Sequence, residues 1–261
     1  MDPLCVDLWV VIAGGNVSNN RIQRDIEAAN EVWKTCRIHF SLKGILTIRS
    51  VNVEKFVGNG VFTSSNPPEI LNMLSIRPLY PGRYKIVIYY VDGKRFSDGA
   101  NGVSPYPLPL TEGGPRPSII LTNDAHPDVT FTRFVLAHEL GHTLFLNPNN
   151  LTLTNPSTTA TPDGFHDNDP NNLMFVGGVG SNPTINKEQC EKARLSVFAR
   201  RCWVIPIPIH IFPPFGPVPP WPPPGPPPPG PPMMLHMFYG VENPCFGSSM
   251  TWNQQYWNKL G

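Results

Sequence analysis

The hydrophobic positions of the chain fall into short runs and helical stripes that predict an alternation of strands and helices. Leu8–Ala13 (LWVVIA) is an unbroken apolar run of strand length, ended by Gly14 and Gly15. Ile22, Ile26, Ala29, Trp33 and Cys36 then recur three or four residues apart, the spacing of one buried stripe on a helix over Asn19–Cys36, with Ser18 or Asn19 as its cap. Ile38–Leu42 and Ile45–Val53 alternate like two strands. Residues 56–83 are rich in Asn, Pro, Gly and Ser and read as loop around a short helix, Glu69–Ser75. Tyr84–Val91 (YKIVIYYV) is dense in β-branched and aromatic residues and is the strongest strand signal.

Beyond it, Asp92–Arg116 is a Gly/Pro-rich connection in which Gly102–Tyr106 reads as a short edge strand. Ser118–Thr122 (SIILT) is a further buried strand, and Asp124–Asp128 a turn. A helix follows, capped by Thr130 and running to about Leu146. Asn147–Phe165 lacks apolar periodicity and reads as a polar surface loop. A last helix spans Asn186–Arg200, with Asn186 and Gln189 in capping-box positions. This order of strands and helices predicts an α/β (α+β) sandwich with a small irregular C-terminal part.

Composition divides the chain. Of its 33 prolines, sixteen lie between Pro206 and Pro232, and Cys202–Val241 contains no Asp, Glu, Lys or Arg. Proline lacks the N–H and fixes φ, so this stretch reads as polyproline II, roughly 80 Å long if fully extended. The expected organisation is a globular body over residues 1–203, a proline-rich linker over 204–232 and an aromatic-rich C-terminal segment over 233–261. The tail reads as a spacer, or as a segment that docks a partner or self-associates. Twenty Lys+Arg against 19 Asp+Glu give a net charge of +1, which supplies no general pull toward nucleic acid or anionic membranes. The longest apolar runs fall far short of the roughly 20 residues that span a bilayer, so no transmembrane segment is expected. Asp2 and Asp7 precede the first apolar run and the first cationic residue is Arg21, which is not a standard signal peptide. Five cysteines without a CxxC leave at least one unpaired in a monomer.

The chemistry is concentrated in His138-Glu139-Leu140-Gly141-His142, inside the helix expected after the SIILT strand. The i, i+4 spacing sets both imidazoles on one helix face, one turn apart, where they can share one Zn²⁺. Glu139 is placed to take a proton from a water on that metal and to deliver it to a leaving amine. A third ligand is required. His166 stands twenty-four residues past His142, in the segment HDNDPNNLM.

LAHELGHTLFL and HDNDPNNLM together resemble the two halves of the signature of metzincin zinc endopeptidases, particularly small bacterial matrixin-like members. The resemblance covers about residues 4–200. It implies a zincin-like fold with a twisted mixed sheet of about five strands, a backing helix, an active-site helix and a small C-terminal subdomain with one helix. It also implies one catalytic zinc on His138, His142 and His166, with Glu139 as general base and Met174 as the methionine of the turn beneath the metal. A protein or peptide substrate follows, and a secreted or cell-surface location, although the absence of a signal peptide leaves the cytoplasm open. The family's glycine three residues after the second histidine is Phe145 here, and Pro148 stands where the compact motif has its third ligand. An insertion, Asn147–Phe165, accounts for both.

The residues leave several alternatives. Asp167 or Asp169 could be the third ligand, or Glu188 or Glu191 on the last helix. Asp163, Asp167, Asn168 and Asp169 have the composition of loose Ca²⁺ ligands without an EF-hand pattern, so calcium lacks support. Tyr89 and Tyr106 are weak candidates for an oxyanion donor; His126 reads as a turn residue and His39 as a structural one. The resembled architecture permits a Cys36–Cys190 bridge, with Cys190–Cys202 as the local alternative, and Cys5 or Cys245 as a latency thiolate. The alternative to an enzyme is a catalytically inactive zincin-derived surface or structural protein that acts through its proline-rich tail.

Overall fold

The computed structural model describes residues 2–14, 17–58, 68–76, 85–105, 117–130, 132–147, 152–176 and 180–202. The proline-rich and aromatic C-terminal segments, Tyr84, Tyr106, Pro148 and Cys245 lie outside them. The strands are β1 (Leu4–Ala13), β2 (Ile38–Thr47), β3 (Ile86–Val91), β4 (Gly102–Val103), β5 (Ser118–Leu121) and β6 (Arg200–Arg201). The helices are α1 (Asn19–Trp33), α2 (Pro68–Ser75), α3 (Val135–Leu144) and α4 (Lys187–Arg194). The result is a mixed α/β architecture, as the element order predicts.

One mixed sheet runs in the order β2-β1-β3-β5-β4. Along that order β2–β1, β1–β3 and β3–β5 are parallel and β4–β5 is antiparallel. Because β3 pairs with β1 only from Leu8 onward, Leu4 and Cys5 remain for β6, which pairs antiparallel with them. Both faces of β3 are covered, which explains why its sequence is continuously apolar rather than alternating. Ile86, Ile88 and Tyr90 join one core with α1, α3 and Met174, while Val87, Tyr89 and Val91 join a second with Ile70, Met73 and Leu74 of α2.

α1 starts where a cap residue permits. The Ser18 hydroxyl accepts from the Arg21 N–H at 3.1 Å, and the apolar stripe Ile22, Ile26, Ala29 and Trp33 is buried as its spacing predicts. A single 3-10 turn, Lys34–Cys36, ends the helix in left-handed Arg37, after which β2 begins. His39 is exposed on β2, which corrects its reading as a structural histidine.

Other boundaries differ from expectation, each for a physical reason. The two alternating stretches after Arg37 form one strand, β2, with a register shift opposite Leu8/Trp9, and it stops at Thr47. Thr130 does not cap α3, which begins at Val135 with Phe134 at its N-cap. The preceding residues instead form a turn closed by the Thr132 hydroxyl donating to the His126 carbonyl at 2.9 Å. α4 ends at Arg194 rather than Arg200, because the chain must turn to bury Phe198 and bring Arg200 and Arg201 to β1.

Two disulfides close the body: Cys36–Cys190 and Cys5–Cys202, with Cα–Cα separations of 4.9 Å each. Cys190 therefore does not pair with its neighbour Cys202, and Cys5 is not a free thiol for latency. The β6–β1 pairing brings Cys202 beside Cys5, which a reading of spacing along the chain could not see.

Candidate metal centre

α3 carries the site because its neighbours fix it on three sides. The Trp33 indole N–H donates to the Ala137 carbonyl at 3.1 Å, tying α1 to the residue before His138. Gly102 of β4 approaches α3 so closely that a Cβ there would stand 3.2 Å from Glu139 Cγ and 2.6 Å from Val135 Cγ1. The Ser104 hydroxyl, two residues on, donates to the Glu139 carbonyl at 2.8 Å. Met174 lies on the third side, against Gly141.

The structure brings His138, His142 and His166 together. Their rings are 4.8 Å (138–142), 5.0 Å (142–166) and 5.5 Å (138–166) apart between centroids. One ligand nitrogen from each lies within 4.8 Å of the others, and this is the only group of three or more such side chains that could hold a metal ion among the described residues. His138 Nδ1 is hydrogen-bonded to the Leu173 carbonyl at 2.7 Å and His166 Nδ1 to Asp163 Oδ2 at 3.1 Å, which leaves Nε2 of each as the nitrogen that can face an ion. A ring nitrogen held by a carbonyl or carboxylate is the usual arrangement behind a metal-binding histidine. His138 Nε2 and His142 Nε2 face each other at 3.1 Å. A tetrahedral ion about 2.0–2.1 Å from each nitrogen would set such a pair roughly 3.3 Å apart, so the donor set fits one.

The electrostatics agree with that fit. Burial pushes the His138 imidazolium down to about 4, only partly opposed by the Leu173 carbonyl, and pushes His142 well below its ordinary value with the neighbouring histidines adding to it. Both rings are therefore neutral at ordinary pH, the form that binds a metal. Glu139 is pushed by burial up to about 7, against the pull of hydrogen bonds from Ser104. Its Oε2 is buried without a hydrogen-bond partner among the described residues, as is His142 Nδ1.

Phe145 needs no left-handed conformation. It ends α3 in right-handed geometry (φ −84°), is buried, and packs on Trp33 with ring centroids 6.2 Å apart. Of the Asn147–Phe165 segment, the described residues 152–165 form neither helix nor named strand, as expected, but they are not purely a surface loop. Asn155 and Ser157 are buried in it, because polar partners reach them from α4.

The other candidates lie elsewhere. Asp167 is turned toward the Thr159 hydroxyl (2.7 Å) and the Asp169 N–H (2.9 Å), and Asp169 accepts from the Asn171 N–H. Glu188 and Glu191 are exposed on α4. For Asp163, burial raises the carboxyl but hydrogen bonds from Thr161, the Phe165 N–H and His166 outweigh it and hold the group below the usual carboxylate range. Asp163 thus holds the loop and His166, and Asp167 Oδ1 is engaged within the loop, while Asp167 Oδ2 is buried without a hydrogen-bond partner among the described residues. Tyr89 donates to the Leu74 and Ile76 carbonyls, a packing role. His126 sits in its turn beside Asp128, as expected.

Sequence reasoning missed the residues that hold the site: Trp33 on Ala137, Gly102 and Ser104 on Glu139, Asn172 on the Met174 N–H, and Asn155 and Asp163 on His166. Asp163 carried a signal, three residues before His166; Trp33, Gly102 and Ser104 come from segments distant in sequence.

No family model matches the chain, and no curated protein matches it. Among solved structures, the chain is similar to metalloproteinase-II from Bacteroides fragilis, at 17% identity and a TM-score of 0.45. The likeness covers 73% of this chain and 52% of that one, so the chain spans about half the length of the structure it matches.

Proposed function

We propose that the chain is a zinc-dependent endopeptidase, with His138, His142 and His166 as the metal ligands and Glu139 as the general base. The observation that carries this reading is the convergence of three imidazoles, two of them held neutral, beside a buried carboxyl with an unpartnered oxygen. When bound, zinc supplies Lewis acidity, which polarises a peptide carbonyl and makes a water molecule easier to deprotonate.

This chain's residues do the rest. Glu139 takes the proton at Oε2, holds it, and delivers it to the leaving amine nitrogen. Burial raises its carboxyl above the ordinary carboxylate range in the metal-free protein, and the carboxylate form accepts the proton that the acid form returns. His138 and His166 are kept in orientation by Leu173 and Asp163. The substrate lies extended along β4, whose Gly102 lets the strand stand against Glu139. In this reading residues 1–203 are the peptidase domain, with Met174 in the turn beneath the metal and Asn147–Phe165 an insertion. Residues 204–232 are a linker, and 233–261 a short aromatic-rich segment.

The test is zinc per chain by elemental analysis on wild type, His166→Ala and Glu139→Ala, with cleavage of an unfolded protein substrate followed in parallel. Wild type is expected to hold one zinc and His166→Ala to bind it weakly enough to lose it on purification. Glu139→Ala is expected to keep the zinc and lose about 10²–10⁴ in rate. A wild type that takes up no zinc even when it is supplied would sink the reading.

A further inference from the structure

The polar core beneath the site is built on one side chain. Gln189 is fully buried, and its carboxamide uses every donor and acceptor it has. Nε2 donates to Asn155 Oδ1 at 2.9 Å and to Asn172 Oδ1 at 3.0 Å. Oε1 accepts from Asn172 Nδ2 at 3.1 Å and from the Asn186 N–H at 3.0 Å. The last bond completes the α4 capping box. The other three are not needed for a cap.

Each asparagine passes the constraint on. Asn155 Nδ2 donates to the His166 carbonyl at 2.8 Å. Asn172 Oδ1 also accepts from the Met174 N–H at 2.9 Å, within the turn whose Leu173 carbonyl holds His138 Nδ1. α4 is itself tied down, since Cys190, the next residue, is bonded to Cys36 at the end of α1. One amide thus bridges the backbone of His166, the backbone that orients His138, and a helix fixed to the body.

We infer that Gln189 is a positioning residue for the metal centre, acting through Asn155 on His166 and through Asn172 on the Leu173–Met174 turn. The inference rests on the proposed zinc site. Apolar residues could fill this volume, but a satisfied amide network fixes the backbone of two approaching segments in one arrangement, which packing alone does less well. Loss of such outer partners typically weakens metal binding about 10–100-fold.

The test is zinc affinity by chelator competition on the full chain, for wild type, Gln189→Met, His166→Ala and the double variant. Methionine keeps the volume and removes all four hydrogen bonds. Gln189→Met is expected to weaken zinc about 10–100-fold in the wild-type background and at least five times less in the His166→Ala background, because part of what it positions is already gone. Cobalt-loaded Gln189→Met is expected to show the shifted visible bands of a loosened ligand. If Gln189→Met does not fold, Asn155→Ala carries the same cycle, since it leaves the α4 cap intact.

Zinc affinity unchanged by Gln189→Met, or reduced by the same factor in both backgrounds, overturns the inference and leaves Gln189 as a helix cap. A wild type without zinc affinity overturns the proposed function as well, so the two failures are distinguishable.

Discussion

The sulfur of Met174 lies against the backbone of Gly141, so close that a Cβ on Gly141 would stand 2.5 Å from it. Behind it the Trp33 ring would be 3.5 Å from the same Cβ, and Met174 is fully buried, so its thioether would have to shift among buried neighbours. Helix propensity alone favours alanine over glycine by about 1 kcal/mol. Overpacking of a close-packed core costs about 1–3 kcal/mol. Gly141→Ala is therefore expected to destabilise the metal-free protein by up to about 2 kcal/mol net, read by denaturant unfolding. A stabilised variant would mean that the methionine is not held where the structure puts it.

What the sequence shows of this arrangement is limited by distance along the chain. His138, Glu139 and His142 are legible because a helix converts spacing into a common face. The strands β1, β3 and β5 are legible because residues buried on both sheet faces leave continuous apolar runs. The partners of the site are not. Trp33 reads as one more apolar residue of a helical stripe, yet its indole N–H anchors Ala137 more than a hundred residues away. Gln189 reads as a capping-box residue, which it is, while three of its four side-chain bonds reach Asn155 and Asn172. The end of α4 is misread for a related reason: helical pattern continues past Arg194, but β6 and the Cys5–Cys202 bridge need the chain elsewhere.

The disulfides give a second expectation. Four of the five cysteines are bonded in pairs, and the fifth is Cys245. Protein folded under oxidising conditions, denatured without reductant and alkylated, should take up one alkyl group per chain, and five after reduction. Replacing Cys36 and Cys190 together by serine should cost about 2–5 kcal/mol. Because α4 carries Gln189, the same change should also weaken zinc binding. Uptake of five groups before reduction would show that neither bridge forms.

The last expectation concerns a group remote from the metal. Asp25 on α1 is buried; Tyr90 donates to its Oδ2 at 2.9 Å, and Arg21 Nε is 3.7 Å from the same oxygen. The Arg21 guanidinium is engaged elsewhere, with Nη2 donating to the Thr122 and Ala125 carbonyls at 2.7 and 2.6 Å. Burial consequently dominates and pushes the Asp25 carboxyl from 3.8 to about 7, with Arg21, Tyr90 and Arg24 opposing and Asp128 adding slightly. The folded state then binds this proton more tightly than the unfolded chain does. The stability it contributes is complete below about pH 4 and is lost as pH rises toward 7, at most about 1.4 kcal/mol per pH unit. The lowered carboxyls Asp163 and Asp167 act in the opposite sense at lower pH, so the difference between two proteins is the informative quantity. Asp25→Asn keeps an acceptor for Tyr90 and removes the titration. Denaturant unfolding from pH 4 to 8 should therefore show the variant gaining stability on wild type as pH rises, with the gain levelling off above pH 7. A constant difference across that range would show that Asp25 keeps an ordinary carboxylate pKa despite its burial, and that Arg21 compensates its charge in full.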